Sequence, residues 1–232
     1  MLDRSAALRP DKIALRIKRA GTYYELTYRG LREKAELLSI ELLELGLKKR
    51  DCVGIIGENR PEWAIAYLAI QKGCFIALPI DPQLKEAEIK HILNDAAAKA
   101  VIASGSFADT ISEIKSDLPN LKYIISMENL DAVLKIKSHK HYELKDKPNL
   151  NDLAALIYTS GTTGSSKGVM LSHWNIMSNV DSLYRFIDFD ERDNFLSILP
   201  LHHTLEATCG FLVPLYNNAT ITYAPSLKSK DI

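Results

Sequence analysis

The sequence predicts an α/β fold made of stacked βα units with mostly parallel sheets. Three observations predict it. Short apolar runs of strand length alternate with longer amphipathic runs of helical period. Turn residues stand at the joints between them, as at Gly46, Gly73 and Asp81-Pro82. The chain has 232 residues, 47% hydrophobic and 25% charged, an ordinary globular composition with enough length to bury such sheets.

Leu31, Ala35, Leu38, Leu42 and Leu45 lie four and three residues apart, one face of an amphipathic helix. Thr27 is its expected cap and Gly46 its stop. Cys52–Ile56 reads as a buried strand. A second helix opens at Asn59-Arg60-Pro61, with Asn59 as cap and Pro61 in the first turn, and ends at Gly73. Phe75–Ile80 is a strand, Lys85–Leu93 a helix, Ala100–Ala103 a strand, Phe107–Lys115 a helix and Lys122–Ser126 a strand. Met127–Asn149 breaks the rhythm: it is rich in Lys and reads as a solvated loop or hairpin between two subdomains, 1–150 and 151–232, with a patch for CoA phosphates or lipid head groups as the weaker alternative. Its His139 and His141 have no further ligand nearby for a metal. The alternation then resumes with a strand at Leu153–Tyr158, a Gly/Ser/Thr loop at Thr159–Gly168, a short strand at Val169–Leu171 and a helix at Trp174–Phe186. A strand at Asn194–Leu199, a helix at Leu205–Tyr216 despite Gly210 and Pro214, and a strand at Ala219–Tyr223 complete the pattern.

Composition excludes several classes. Basic and acidic residues number 29 each, so no net field draws the chain to nucleic acid. Cys52, Cys74 and Cys209 are an odd number, far apart, with no Cys-x-x-Cys pair; neither a disulfide framework nor a zinc site follows, and a reducing compartment fits. The start of the chain has no basic segment followed by an apolar one, and no apolar run reaches bilayer length. A cytoplasmic protein, with room for peripheral membrane contact, is the expectation. Asn218-Ala219-Thr220 matches a glycosylation sequon, a pattern short enough to arise by chance.

The most informative stretch is Tyr158-Thr159-Ser160-Gly161-Thr162-Thr163-Gly164-Ser165-Ser166-Lys167-Gly168. Gly161, Gly164 and Gly168 let the backbone turn and approach a ligand closely. Successive N–H groups then form an anion-binding concavity. The hydroxyls of Thr159, Ser160, Thr162, Thr163, Ser165 and Ser166 can donate to phosphate oxygens or ligate Mg2+, and Lys167 adds a positive charge. It is not a Walker A loop, because Ser166 precedes Lys167 and Gly168 follows it. By composition it also reads as a flexible linker; the apolar strand before it and the strand and helix after it argue for a built loop. The His202-His203 pair, taken alone, reads as a strand-end turn with satisfied side chains; beside the loop it reads as part of a site, His203 more than His202.

Tyr158–Gly168, continued by Val169-Met170-Leu171-Ser172-His173, closely resembles the signature of the AMP-binding, adenylate-forming superfamily. That superfamily includes acyl-CoA synthetases, luciferases and the adenylation domains of peptide synthetases. The resemblance implies that Thr159, Ser160, Gly161, Thr162, Thr163, Gly164, Ser165 and Lys167 grip the β- and γ-phosphates of ATP, with the Thr162 hydroxyl on Mg2+. Leu199-Pro200-Leu201-His202-His203-Thr204-Leu205-Glu206 resembles the family segment that lines the acyl and thiol-acceptor tunnel, which implies that His203 shapes the pocket near the reacting carboxylate. Glu58-Asn59-Arg60-Pro61-Glu62-Trp63 is similar to a passage commonest in long-chain fatty acyl-CoA synthetases, although physically it reads mainly as a helix start. The implied fold is the N-terminal domain of an acyl-adenylate-forming enzyme. The implied substrates are a fatty acid, ATP and CoA, with aryl-CoA and acyl-carrier-protein ligases, or a non-catalytic nucleotide-binding module, as alternatives. In the family, the adenine and ribose contacts, a Thr-Glu pair for Mg2+, the catalytic lysine and the C-terminal lid domain lie beyond the part that Ile232 reaches. This chain alone is therefore expected to be inactive.

Overall fold

Strands separated by helices build two sheets here. The structure, a computed structural model, describes residues 1–137, 144, 146–159 and 166–224. The chain opens with helix α1 (Leu2–Leu8) and a hairpin of β1 (Ile13–Arg19) and β2 (Thr22–Thr27). The helical and buried-strand patterns read above do not reach this hairpin. Its signal is local: Ile13, Leu15 and Ile17 alternate, and Ala20 and Gly21 form a two-residue turn with φ of 47° and 84°, the double positive φ that such turns need.

Helix α2 (Tyr28–Glu44) follows the expected pattern. Gly30 N–H donates to Thr27 Oγ1 at 3.1 Å, so Thr27 caps it, and Gly46 leaves it with φ of 88°. Leu31, Ala35, Leu38 and Leu42 are fully buried. Then come β3 (Cys52–Ile56), α3 (Pro61–Lys72), β4 (Ile76–Ile80), α4 (Glu86–Asp95), β5 (Ala100–Ala103), α5 (Gly105–Ile114) and β6 (Tyr123–Ser126). Helix α6 (Leu130–Lys137) corrects the expectation of a loop or hairpin over Met127–Asn149: Leu130 and Leu134, one turn apart, are buried and give the segment an apolar side to pack. His139 and His141 lie outside the described residues. After β7 (Leu153–Thr159), β8 (Lys167–Ser172), α7 (His173–Phe186) and β9 (Asn194–Ser197), the helix expected over Leu205–Tyr216 is a π-helical segment, Glu206–Leu212, continued by α8 (Val213–Tyr216). Pro214 stands at the start of α8, and the wider turn before it accommodates Gly210, over which the Glu206 carboxyl folds; a Cβ at Gly210 would lie 2.4 Å from that carboxyl. β10 (Thr220–Tyr223) is the last element among the described residues.

Contacts divide the chain into two units. The described residues of Met1–Lys34, Asn59–Ile65 and Asn175–Ile232 form the first, and those of Ala35–Glu58 and Ala66–Trp174 the second. The division expected near residue 150 falls inside the second unit, where β4 and β7 pair in parallel through Ala77 and Ala155. In the second unit the strand order is β6-β5-β3-β4-β7-β8; all neighbours are parallel except β7 and β8. β3, β4 and β5 are buried at every residue, as parallel strands covered on both faces must be. Ile56, Leu78 and Ile80 share a core cluster with Ile89, Ile92 and Leu93 of α4 and Ile111 and Ile114 of α5. Each fully buried side chain of this kind stabilises by about 1.5–3 kcal/mol.

The first unit holds the sheet β2-β1-β10-β9, in which β1 pairs antiparallel with β2, and β10 lies parallel to both β1 and β9. Tyr28 is buried and donates its hydroxyl to the Ala219 carbonyl at 2.6 Å. Asn218 of the sequon is buried too, and its Nδ2 donates to the Ser5 carbonyl at 2.8 Å, so the folded chain offers no site for a glycan there.

Asp152 at the entry to β7 accepts the Asn149 N–H at 3.1 Å and faces Lys49 Nζ at 3.1 Å and Arg50 Nη2 at 3.2 Å. The Asn149 N–H, then Lys49 and Arg50, hold its carboxyl well below the usual carboxylate range, at about 2. A depressed carboxylate contributes stability above its unfolded pKa of about 4 and loses it as pH falls through its folded value. Chemical denaturation from pH 7 downward is expected to show wild type ahead of Asp152→Asn by a constant margin. The margin should shrink below about pH 4, where the unfolded carboxylate protonates.

Candidate functional site

β7 and β8 pair antiparallel, so the glycine-rich loop joins the two strands of a hairpin. Tyr158 stands opposite Gly168, and Thr159 opposite Lys167. Ser160, Gly161, Thr162, Thr163, Gly164 and Ser165 lie outside the described residues. Thr159 and Lys167 are exposed, and among the described residues Lys167 has no ion-pair partner. The hairpin thus presents an uncommitted ammonium at one foot of the loop and a threonine hydroxyl at the other. That donor set fits a polyphosphate, and hydroxyl oxygens are the ligand type that a hard cation such as Mg2+ takes.

Tyr158 holds the foot of the hairpin. Its hydroxyl donates to Asp95 Oδ2, at the end of α4, at 2.5 Å. Burial, and after it the hydrogen bond and charge of Asp95, push the phenol far above its ordinary range, so it stays a donor. A Cβ on Gly168 would lie 3.2 Å from two carbons of the Tyr158 ring. This corrects one expectation: Gly168 sits in a strand, and its missing side chain admits the ring of Tyr158 across the ladder instead of forming a turn.

The histidine turn belongs to the first unit and is described within it. His203 is exposed, His202 is half-buried, and their rings stand 4.2 Å apart. His203 N–H donates to the Pro200 carbonyl at 3.0 Å, and Ala207 N–H to the His203 carbonyl at 2.9 Å, so the turn runs directly into the π-helical segment. A polar chain crosses beneath it. Asn59 Nδ2 donates to Ser197 Oγ at 3.0 Å and to the Leu199 carbonyl at 2.6 Å, while Asn59 Oδ1 accepts Leu201 N–H at 2.9 Å. Ser197 Oγ in turn donates to Glu206 Oε1 at 2.6 Å. Both Ser197 and Glu206 are buried. Burial pushes the Glu206 carboxyl above its usual range, opposed by the Ser197 hydrogen bond.

A second buried carboxylate lies in the same unit. Glu62 takes Arg19 Nη2 on both oxygens, at 2.9 and 2.7 Å, and Arg60 Nε at 2.8 Å. Burial pushes this carboxyl up, but the two guanidiniums outweigh it and hold Glu62 below the ordinary range. Trp63 meets Phe211 of the π-helical segment edge-on, 6.2 Å between centroids. The passage Glu58–Trp63 is therefore more than a helix start. Asn59, expected as the cap of α3, reaches across to the exit of β9 instead, and Pro61 opens the helix. Sequence reading gives no role to Ser197 and names Glu206 only as the end of the Leu199–Glu206 passage. The available signal was a serine between two apolar pairs, Phe195-Leu196 and Ile198-Leu199, and a glutamate one turn before a glycine.

Comparison with known proteins bears on the family and the fold. A family model described as AMP-binding enzyme matches residues 2–232. The long-chain-fatty-acid–CoA ligase 5 of Rattus norvegicus is 32% identical over 210 residues, covering 79% of this chain and 31% of that protein. Bacitracin synthase 2 of Bacillus licheniformis is 33% identical over 178 residues, covering 75% of this chain and 6% of that protein. The crystal structure of ATP-bound MatB from Rhodopseudomonas palustris superposes with a TM-score of 0.83 at 26% identity, over 98% of this chain and 46% of that one. The chain thus spans about a third of the length of the rat ligase.

If the Tyr158 ring is what demands glycine at 168, Gly168→Val lowers stability by about 1–3 kcal/mol through overpacking. The loss should be clearly smaller in a Tyr158→Ala background. A double-mutant cycle by urea denaturation checks it, and strictly additive losses would refute the contact.

Proposed function

The chain belongs to the AMP-binding enzyme family, and from that premise we propose that it carries the phosphate-gripping part of a ligase that activates a fatty acid with ATP and passes the acyl group to CoA. The observation that carries this reading is the exposed Lys167, without an ion-pair partner among the described residues, at the foot of a hairpin whose loop is built of Gly, Ser and Thr. The fatty-acid part rests on the similarity to the rat long-chain-fatty-acid–CoA ligase and on the Glu58–Trp63 and His202–Glu206 passages.

In the first step a carboxylate oxygen bonds to the α-phosphorus of ATP while the bond from that phosphorus to the bridging oxygen breaks, giving acyl-AMP and pyrophosphate. Negative charge grows on the departing pyrophosphate. Lys167, the hydroxyls of Thr159, Ser160, Thr162, Thr163 and Ser165, and the N–H groups around Gly161 and Gly164 hold that charge in place and stabilise it as it grows. Mg2+, bound with the nucleotide, would neutralise part of the phosphate charge, with Thr162 as its protein ligand. His203 takes the part that the family resemblance implies, shaping the pocket near the reacting carboxylate. In the second step a CoA thiolate attacks the acyl carbon and AMP leaves. The substrates are small molecules, and no nucleic acid takes part. The work is cytoplasmic, with peripheral membrane contact, since a fatty acid partitions into lipid. A second reading, a ligase for another carboxylate or acceptor, is favoured by the 33% identity to bacitracin synthase 2.

Carboxylate-dependent exchange of labelled pyrophosphate into ATP tests the proposal, run on this chain and on a longer protein carrying it, with fatty and aryl acids of increasing length. Exchange that peaks with long-chain acids is the expected result. A preference for amino or aryl acids selects the second reading. Lys167→Ala is expected to slow exchange by about 10²-fold, the usual cost of one preorganised donor. Unchanged exchange in that variant would remove Lys167 from the phosphate site.

A further inference from the structure

Asn59 and Ser197 are 138 residues apart in sequence, yet the Asn59 amide spends both of its ends on the exit of β9. Three contacts, at Ser197, Leu199 and Leu201, pin the strand on the near side of the histidine turn. On the far side, Ser197 passes the tie on to Glu206, the first residue of the π-helical segment. Four residues, His202 to Leu205, lie between these two anchors; His203 N–H donates to the Pro200 carbonyl and Ala207 N–H to the His203 carbonyl, the rings of His202 and His203 stand 4.2 Å apart, and His203, Thr204 and Leu205 are exposed. A span this short between two anchored ends takes its course from them.

Two features mark this tie as more than packing. A buried carboxylate with a serine as donor costs the fold stability, and an apolar side chain of the same size would avoid the cost. The backbone has also made room for it: Gly210 leaves the space that the Glu206 carboxyl fills, and the helix there takes the wider π form. Departures of this kind gather at functional sites, where a particular geometry is worth a loss elsewhere.

We propose that Asn59 and Glu206, joined through Ser197, are positioning residues that set the place and orientation of the His203 ring. This rests on the reading above that His203 shapes the pocket near the reacting carboxylate, and it assigns one task to two sequence passages, Glu58–Trp63 and Leu199–Glu206, that lie far apart in the chain. Asn59 fixes the entry to the turn, Glu206 its exit, and Ser197 sets the distance between them.

Imidazole resonances of His203, followed by NMR in this chain, test the positioning directly. Asn59→Ala and Glu206→Ala are expected to shift them, whereas Glu206→Gln, which still offers Ser197 an acceptor, keeps the wild-type signature. Ser197→Ala, a small change that the strand tolerates, is the variant to read if the other alanine replacements fail to fold, and it too should shift His203. Thermal unfolding is recorded alongside. Lowered stability with unmoved His203 resonances would show a structural brace alone and overturn the proposal. In a catalytically active protein carrying this chain, Ser197→Ala and Asn59→Ala are expected to raise the KM for the carboxylate by about tenfold while the KM for ATP holds. KM values for both substrates rising together would count against it. His203→Ala separates the two readings: if that variant leaves the carboxylate KM unmoved while Ser197→Ala still shifts the His203 resonances, the positioning stands and the role of His203 falls.

Discussion

The antiparallel pairing of β7 with β8 is the constraint on which the phosphate-binding reading depends. β7 is tied on one side to the buried parallel core through β4 and on the other to β8, so the feet of the loop cannot drift. A polyphosphate is gripped well only by donors already in place, because ordering them at the moment of binding would consume the energy of the hydrogen bonds they make. The Tyr158 ring lying over Gly168, with its hydroxyl on Asp95, adds a lock where a β ladder alone would leave an exposed hairpin free to fray. Lys167 leaves that lock one residue away, exposed and unpaired among the described residues.

The first unit answers a different physical problem, how to bury a carboxylate, and does so in two ways. Glu62 is met by Arg19 and Arg60, and the charge-assisted bonds overcome the cost of desolvation. Glu206 has Ser197, and its affinity for a proton rises with burial. The first arrangement is a brace that holds the start of α3 against β1. The second is costly to stability and sits directly beneath a turn of two histidines. That contrast is why the polar chain from Asn59 to Glu206 reads as serving the site.

Much of this was legible in the sequence. The interior strands and helices, the cap at Thr27 and the stop at Gly46 all follow from local patterns, because apolar spacing and turn chemistry act over a few residues. Helix α6 was obscured by the lysines around it, although Leu130 and Leu134 bury its inner side. The π form of Glu206–Leu212 was hidden because helical periodicity does not distinguish a turn widened around a folded-back carboxylate from an ordinary one.

What the sequence determined by itself is the α/β alternation and the Gly/Ser/Thr composition of the loop, since both are properties of neighbours along the chain. Only the tertiary structure decided that β10 returns to lie beside β1, that Gly168 serves the ring of Tyr158, and that Asn59 reaches Ser197 and, through it, Glu206. Those are meetings between residues far apart in sequence or across a strand ladder. No local pattern encodes them, because they arise only when buried polar groups, brought together by the packing of the apolar core, must find partners.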